Sequence, residues 1–281
     1  MQTIMNGVGI GLRHQHFDDF QSSPPNLDWI EVHPENFLTL GCDFEQLKEM
    51  STNYKLSFHG VGLSLGSEWD EESSKHLKRI QNLIEHCRCD AFSEHISWSK
   101  HDGKHLHDLL PITYNDDNLN LIADNIKRVQ GMIGMQIAVE NPSIYMQMDN
   151  KYSEADFINM LIEKAECKLL LDVNNVEVSA FNLEYDMMQY LTEIDISTVQ
   201  ELHIAGHTTR ENPDNSTIKI DTHSTFATNN SWNALEWVVS NPEFNGFAIY
   251  EWDSDMPEFS TLIEQMEKIK EIFKQNVRLS A

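Results

Sequence analysis

The chain has 281 residues, 40% of them hydrophobic, and a formal net charge of −25. It is long enough to bury a substantial core, and a field of that sign repels polyphosphate backbones and anionic membrane surfaces, which excludes nucleic acid and membrane as natural partners and leaves cations and basic peptides or proteins. The opening MQTIMNGVGI lacks the basic region and apolar run of a secretory signal, and no segment approaches ~18 uninterrupted apolar residues, so a cytoplasmic location is expected.

Taken in chain order, short apolar runs that end in polar residues fall at 8–12, 27–32, 55–58, 91–92, 135–139, 168–171, 201–204 and 246–250. Segments with helical spacing and many charges fall at 76–88, 118–132, 153–165, 186–193, 232–239 and 259–273. Short β-rich runs alternating with helix-length segments are the pattern of βαβ units and a parallel sheet. Eight strands in this length suit a closed (β/α)8 TIM barrel, usually ~250 residues, and no Pro/Gly/Ser-rich linker divides residues 1–281, so a single domain is expected. The rival is a doubly wound open sheet. Against it, GVGIGLRHQH (7–16) has no G-x-G-x-x-G opening a helix. Cys42, Cys87, Cys89 and Cys167 are too irregularly spaced for a disulfide framework or a zinc motif and read as reduced thiols.

The strand ends carry the chemistry. Phe58 leads to His59, Phe92 to Glu94 and His95, Val139 to Glu140, Leu171 to Asp172, Leu202 to His203 and Tyr250 to Glu251. Positions 59, 95, 140, 172, 203 and 251 are separated by 36, 45, 32, 31 and 48 residues, each enough for a βα unit. In a parallel barrel all strand C-termini open on one face, so these side chains would converge. The last interval also holds Asp221-Thr-His223, whose outer side chains share a face in extended chain. A lone His at a strand end is usually structural, and a lone Asp before a helix is usually an N-cap; recurrence at six ends argues for a metal centre. Carboxylates at Glu140, Asp172, Asp221 and Glu251 brought together would repel unless cations neutralised them. Two or three divalent ions would do so. Imidazole and carboxylate without thiolate suit iron, manganese or zinc in open catalytic sites, and the ligand types do not choose among them.

Other residues near the expected mouth have lesser roles. His33 and Glu35 are read as orienting a substrate or supporting the ligands, His207 as supporting a ligand by a hydrogen bond, and Arg13 and His14 as closing the barrel in preference to contacting the substrate. His101, His105 and His107 surround Asp102-Gly103-Lys104 and read as surface-loop histidines. Trp98 and Trp252 serve either as pocket walls or as ordinary core.

The motifs FHGVGLSLGS (58–67), SEHISW (93–98), HDLLPITY (107–114), VENPSIY (139–145), LLLDVNNVEVSAFN (169–182), ELHIAGH (201–207), DTH (221–223) and YEWD (250–253) run in order through nearly the whole chain. Together they resemble the multinuclear non-heme iron-dependent oxidative enzymes, a family formerly listed as a domain of unknown function that includes the methanobactin-biosynthesis oxidase. The resemblance implies a xylose-isomerase-like barrel with ligands arranged as in the trinuclear zinc endonuclease IV. It implies one metal on His59, His95 and Glu140, with Glu140 bridging to a second on Asp172, His203 and Glu251, and a third on Asp221, His223 and Asn175. Asn175 stands where the endonuclease pattern has a His, and an amide is a weaker ligand than imidazole. The resemblance further implies two to three iron ions in a mixed-valent state, with catalytic roles for Glu140, Asp172, Asn175 and His203, O2 as oxidant, cysteine residues of a ribosomally synthesised precursor peptide as substrate, and a peptide-recognition partner protein. The alternatives are a zinc- or manganese-dependent hydrolase or isomerase on the same barrel, and a scaffold whose metals are structural.

Overall fold

A computed structural model describes residues 6–39, 41–101 and 104–279. Its strands, in chain order, are β1 (Gly7–Gly11), β2 (Trp29–Val32), β3 (Lys55–Gly60), β4 (Ala91–His95), β5 (Trp98–His101), β6 (Lys104–Leu110), β7 (Ala138–Glu140), β8 (Lys168–Asp172), β9 (Val199–Ile204), β10 (Thr208–Glu211), β11 (Thr217–Ile220) and β12 (Phe247–Tyr250). Its helices are α1 (Phe17–Ser22), α2 (Cys42–Met50), α3 (Glu71–His86), α4 (Asp116–Ile133), α5 (Glu154–Ala165), α6 (Val173–Leu183), α7 (Met187–Glu193), α8 (Asn229–Ser240) and α9 (Phe259–Leu279). Eight strands close a barrel in the order β1-β12-β9-β8-β7-β4-β3-β2, with parallel pairing of β1 to β12 and β2, of β12 to β9, and of β4 to β3 and β7. The (β/α)8 barrel expected from the sequence is therefore the fold, and the open sheet is excluded. Among the described residues, no helix is long and apolar enough to cross a membrane.

By their contacts the residues fall into two compact units. The first holds residues 6–31, Ser143–Gln147 and 170–279. Its strands β1, β2, β9 and β12 read as nearly continuous apolar runs because a parallel barrel covers both faces of each strand. Gly9 is required on β1: a Cβ there would lie 2.1 Å from the Trp29 carbonyl oxygen of β2. That close approach lets the Trp29 ring stack on Phe247, with centroids 3.8 Å apart.

The second unit holds residues 32–142 and Met148–Leu169. Its helices obey the amphipathic rule, α3 burying Leu77, Ile80 and Leu83 and α4 burying Ile122, Ile126 and Val129. Asp70, Asn115 and Ser153 cap α3, α4 and α5 through their side-chain oxygens, and Gly134 ends α4 in the left-handed region at φ 74°. The Asp70 cap sets the start of α3 five residues before the periodic segment at 76, because Glu71 and Glu72 favour the helix N-terminus without adding to an apolar stripe. The histidine-bearing segment after β4 is a β5–β6 hairpin rather than an open loop. The side chains of His101, His105 and His107 lie outside the described residues.

Cys87 and Cys167 are buried free thiols, pushed up to about 11 and about 12 by burial, while Cys42 is exposed.

Candidate metal centre

In the second unit, register assembles the first cluster. Parallel pairing sets His59 of β3 beside Ser93 of β4, and His95 of β4 beside Glu140 of β7. The Nε2 atoms of His59 and His95 point at the same oxygen, Glu140 Oε2, at 3.2 and 2.8 Å. Their other nitrogens are occupied: His59 Nδ1 lies 2.9 Å from Ser93 Oγ, and His95 Nδ1 lies 3.0 Å from the Gly60 carbonyl oxygen. A carbonyl only accepts, so His95 Nδ1 carries the proton. A neutral His95 therefore aims a lone pair at a carboxylate. That contact is repulsive unless the ring is an imidazolium or a cation lies between them, and the pKa directions agree. Burial opposes charge on His95, but Glu140 outweighs it and holds the ring well above the ordinary histidine range. Burial likewise opposes charge on Glu140, and His95 and His59 hold it well below the carboxylate range.

Around this cluster, His33 Nδ1 donates to the His59 carbonyl oxygen (3.0 Å). Glu35 Oε1 accepts from the Val61 amide and lies 3.2 Å from His76 Nε2. Glu94 accepts from the Leu63 and His95 amides, and a Cβ on Gly60 would lie 2.7 Å from Glu94 Oε2. His33, Glu35 and Glu94 thus fix the backbone that aims His59 and His95. The indole of Trp98 donates to the Pro111 carbonyl oxygen at 2.9 Å.

In the first unit, a second cluster is centred on Glu251, held just past β12 by the hydrogen bond its backbone N–H donates to the Ile204 carbonyl oxygen. Glu251 Oε2 lies 2.9 Å from His203 Nδ1 and 3.1 Å from His223 Nδ1, and Oε1 accepts from Arg13 Nη2 at 2.7 Å. His203, fully buried, has Nε2 2.9 Å from Glu31 Oε2 and 3.7 Å from Glu201 Oε1. His223 Nε2 lies 2.7 Å from Asp221 Oδ1 and 3.7 Å from Asp172 Oδ2, and its Nδ1 lies 3.2 Å from Asp253 Oδ2. Burial opposes charge on both rings, but Glu31 and Glu251 hold His203 well above the ordinary range, as Asp221 and Glu251 do His223. Glu201, buried beside Glu31, is pushed up to about 8.

Two imidazoles and the Arg13 guanidinium thus face carboxylates of Glu31, Asp172, Glu201, Asp221, Glu251 and Asp253. Even with both rings protonated the anions are in excess, the composition that suits a divalent cation. Donor atoms of Glu31, His203 and Glu251 lie within 4.8 Å of one another, as do those of Asp172, His223 and Glu251. Glu31 on one nitrogen of His203 leaves the other aimed at Glu251, the arrangement in which a carboxylate orients an imidazole ligand.

Asp172 does two things at once. Its Oδ1 accepts from the Asn175 amide as the N-cap of α6, the ordinary role of an Asp before a helix, while Oδ2 faces His223. Asn175 Oδ1 accepts from Ser143 Oγ at 2.7 Å; its neighbour Asn174, not singled out from sequence, is the one that donates to Asp221 (2.7 Å) and lies 2.8 Å from His207 Nδ1. His223 has φ 44°, the left-handed region, a strain of about 1–3 kcal/mol for a residue with a Cβ. Arg13 binds Glu251 and Asp253 rather than only closing the barrel. Trp252 is buried and meets Phe226 edge-on.

Sequence reading also missed Glu31 and Glu201. The signal was present: a charged residue inside an apolar strand, as in WIEV, is rarely buried without a partner, and Glu201 stands two residues from His203 on the same strand face.

The chain is 40% identical over 271 residues to a UPF0276 protein of Psychromonas ingrahamii, covering 95% of each. It is 37% identical over 272 residues to UPF0276 protein VP3015 of Vibrio parahaemolyticus, covering 95% of this chain and 93% of that one. Among solved structures it is similar in fold to an L-ribulose 3-epimerase (TM-score 0.61, 12% identity, covering 98% of this chain and 97% of that one) and to the IOLI protein with a binding zinc atom (TM-score 0.60, 12% identity, 95% of each). Residues 7–274 match the model of the RiPP precursor modification enzymes MbnB/TglH/ChrH. With a match over that span, and relatives this similar along almost their whole length, the chain belongs to the MbnB/TglH/ChrH family of RiPP precursor modification enzymes.

Proposed function

We propose that this protein is a multinuclear iron-dependent oxidase that uses O2 to modify cysteine residues of a ribosomally synthesised precursor peptide. The observation that carries the metal part is the excess of carboxylates over cationic groups around His203, His223 and Arg13, which persists even with both rings protonated and suits a divalent cation. The donor set fits iron. His59, His95 and Glu140 would hold one ion, and His203, Glu251 and Asp172 a second, with Asp221, His223 and Asn175 furnishing a third, weaker position. Family membership supports the peptide substrate, and the net charge of −25 suits a basic one.

When bound, iron supplies the Lewis acidity that favours deprotonation of a substrate thiol and the redox capacity to pass electrons from peptide to O2. The chain's own residues do the rest. Ser93 and the Gly60 carbonyl fix the ring planes of His59 and His95, and Glu31 fixes that of His203. Arg13 holds Glu251 and Asp253 against the repulsion of their carboxylate neighbours. Burial of both clusters excludes bulk water and strengthens each of these contacts.

The test is oxygen consumption by anaerobically iron-loaded protein on a Cys-containing precursor peptide, with the product mass measured. Oxygen uptake matched to a lower or rearranged peptide mass is the expected outcome. An unchanged peptide, or equal turnover with zinc in place of iron, would sink the proposal.

A further inference from the structure

The segment that carries Asp221 and His223 is held at its backbone by Tyr145, Asp253 and Ser254 and along its side chains by one helix. Residues of α6 reach it at successive points: Asn174 Nδ2 donates to Asp221 Oδ1 at 2.7 Å, Glu177 Oε1 accepts from Lys219 Nζ at 2.6 Å, and Asn182 exchanges two hydrogen bonds of 3.0 Å with the Lys219 backbone. Asn174 and Glu177 are three apart on a helix and so share a face; Lys219 and Asp221 are two apart on extended chain and so share one too. The two spacings match.

Glu177 also reaches the far side of the same segment. Its Oε2 accepts from Thr228 Oγ1, the N-cap of α8, and from Ser231 Oγ at 2.7 Å. One buried carboxylate therefore ties residues 219 and 228 together, with the Asp221-Thr-His223 stretch between them. At the top of the helix, His207 settles which way Asn174 faces. Its Nδ1 lies 2.8 Å from Asn174 Oδ1, and since an amide oxygen only accepts, the amide nitrogen is left to face Asp221. His207 can come this near because Gly206 has no Cβ; one would lie 2.2 Å from the Thr225 carbonyl oxygen. The stretch needs such holding, because His223 sits at φ 44° and would relax to an ordinary backbone conformation if released.

We propose that α6 is a splint for the Asp221/His223 metal position, with Asn174 and Glu177 as its positioning residues and His207 as the group that orients Asn174. The affinity of that position is set by the splint and not by its ligands alone. This rests on the reading of the chain as a multinuclear metalloenzyme, and it adds residues that bind no metal themselves.

The test is anaerobic Fe(II) titration with metal analysis of wild type and of Asn174→Leu, Glu177→Gln, His207→Phe, His207→Gln and Lys219→Arg, with a thermal melt of each metal-free protein to show that it folds. Wild type is expected to load its full set. Asn174→Leu, Glu177→Gln and His207→Phe should each weaken one position by about 10–100-fold, the range for loss of a group that orients a ligand, and leave the others unchanged. His207→Gln keeps a donor for Asn174, and Lys219→Arg keeps the ion pair, so both should retain wild-type affinity. Variants that load every position as wild type does overturn the splint alone, as do variants that weaken all positions equally. A wild type that takes up no metal overturns the metalloenzyme reading and the splint with it.

Discussion

The cluster on Glu140 and the cluster on Glu251 use the same residue types in opposite proportions. In the first, two imidazoles converge on one carboxylate oxygen. In the second, two imidazoles and a guanidinium are outnumbered by the carboxylates around them. A site rich in imidazole comes near neutrality by taking up protons, whereas a site rich in buried carboxylate stays anionic even with its histidines charged. The second cluster therefore depends more on cations than the first. Its surroundings differ too: charged groups, Arg13 and Glu31, bind its members directly, whereas Ser93 and the Gly60 carbonyl do so in the first.

The largest break in this comparison comes from Glu251→Ala, which removes the carboxylate shared by His203, His223 and Arg13. It should lower peptide oxidation by at least about a hundredfold, with loss of metal from the second cluster while His59 and His95 still bind. Metal analysis alongside turnover checks it; full metal content in the variant would remove Glu251 from the ligand set.

Next in size is a control outside both clusters. Lys100, buried on β5, has its ammonium held by Asp70 at 2.6 Å and Ser73 Oγ at 2.7 Å, and Asp70 also caps α3. Asp70→Ala removes a half-exposed partner from the Lys100 ammonium and uncaps a helix, which should cost about 1–2 kcal/mol in denaturant unfolding without altering metal content. A matching loss of metal would mean that ion pairs of both kinds serve the centre.

The smallest effect lies in proton counts. His95, His203 and His223 are all held above the ordinary histidine range in the metal-free protein. A group with a raised pKa keeps its proton to higher pH, and a metal must displace it. Affinity should therefore rise with pH above about 6.5, with more protons released at the second cluster, which has two such rings, than at the first. Calorimetry in buffers of different ionisation enthalpy, on variants lacking one cluster, reads the difference; equal release from both would show that the imbalance in carboxylates has no consequence.

How much of this was legible beforehand follows the same division. The apolar runs at 55–58, 91–92 and 201–204 mark barrel strands because burial on both faces leaves no alternation to confuse them. The candidate ligands at their ends stand out because a His or Glu that closes an apolar run is visible in one dimension. Helix α6 was not visible as a helix: Val173, Asn174, Val176 and Val178 are poor helix formers, and burial along 173–180 removes the polar face that gives a helix its period. With α6 unseen, Asn174 and Glu177 could not be assigned a face. Glu31 had no visible role for a different reason, since its partner His203 is 172 residues away and only barrel closure brings them together. Candidate ligands that end strands can be read from sequence; the groups that hold them through contacts distant in the chain need the fold.

The central claim, that both clusters hold iron for oxidation, is tested most directly by Mössbauer spectroscopy of 57Fe-loaded protein, reconstituted anaerobically and then exposed to limiting O2. At least two iron environments are expected, one lost in His95→Ala and another in Glu251→Ala, with both ferrous and ferric components in the wild type. Protein that retains only zinc, or a single iron environment unaffected by either substitution, would contradict it.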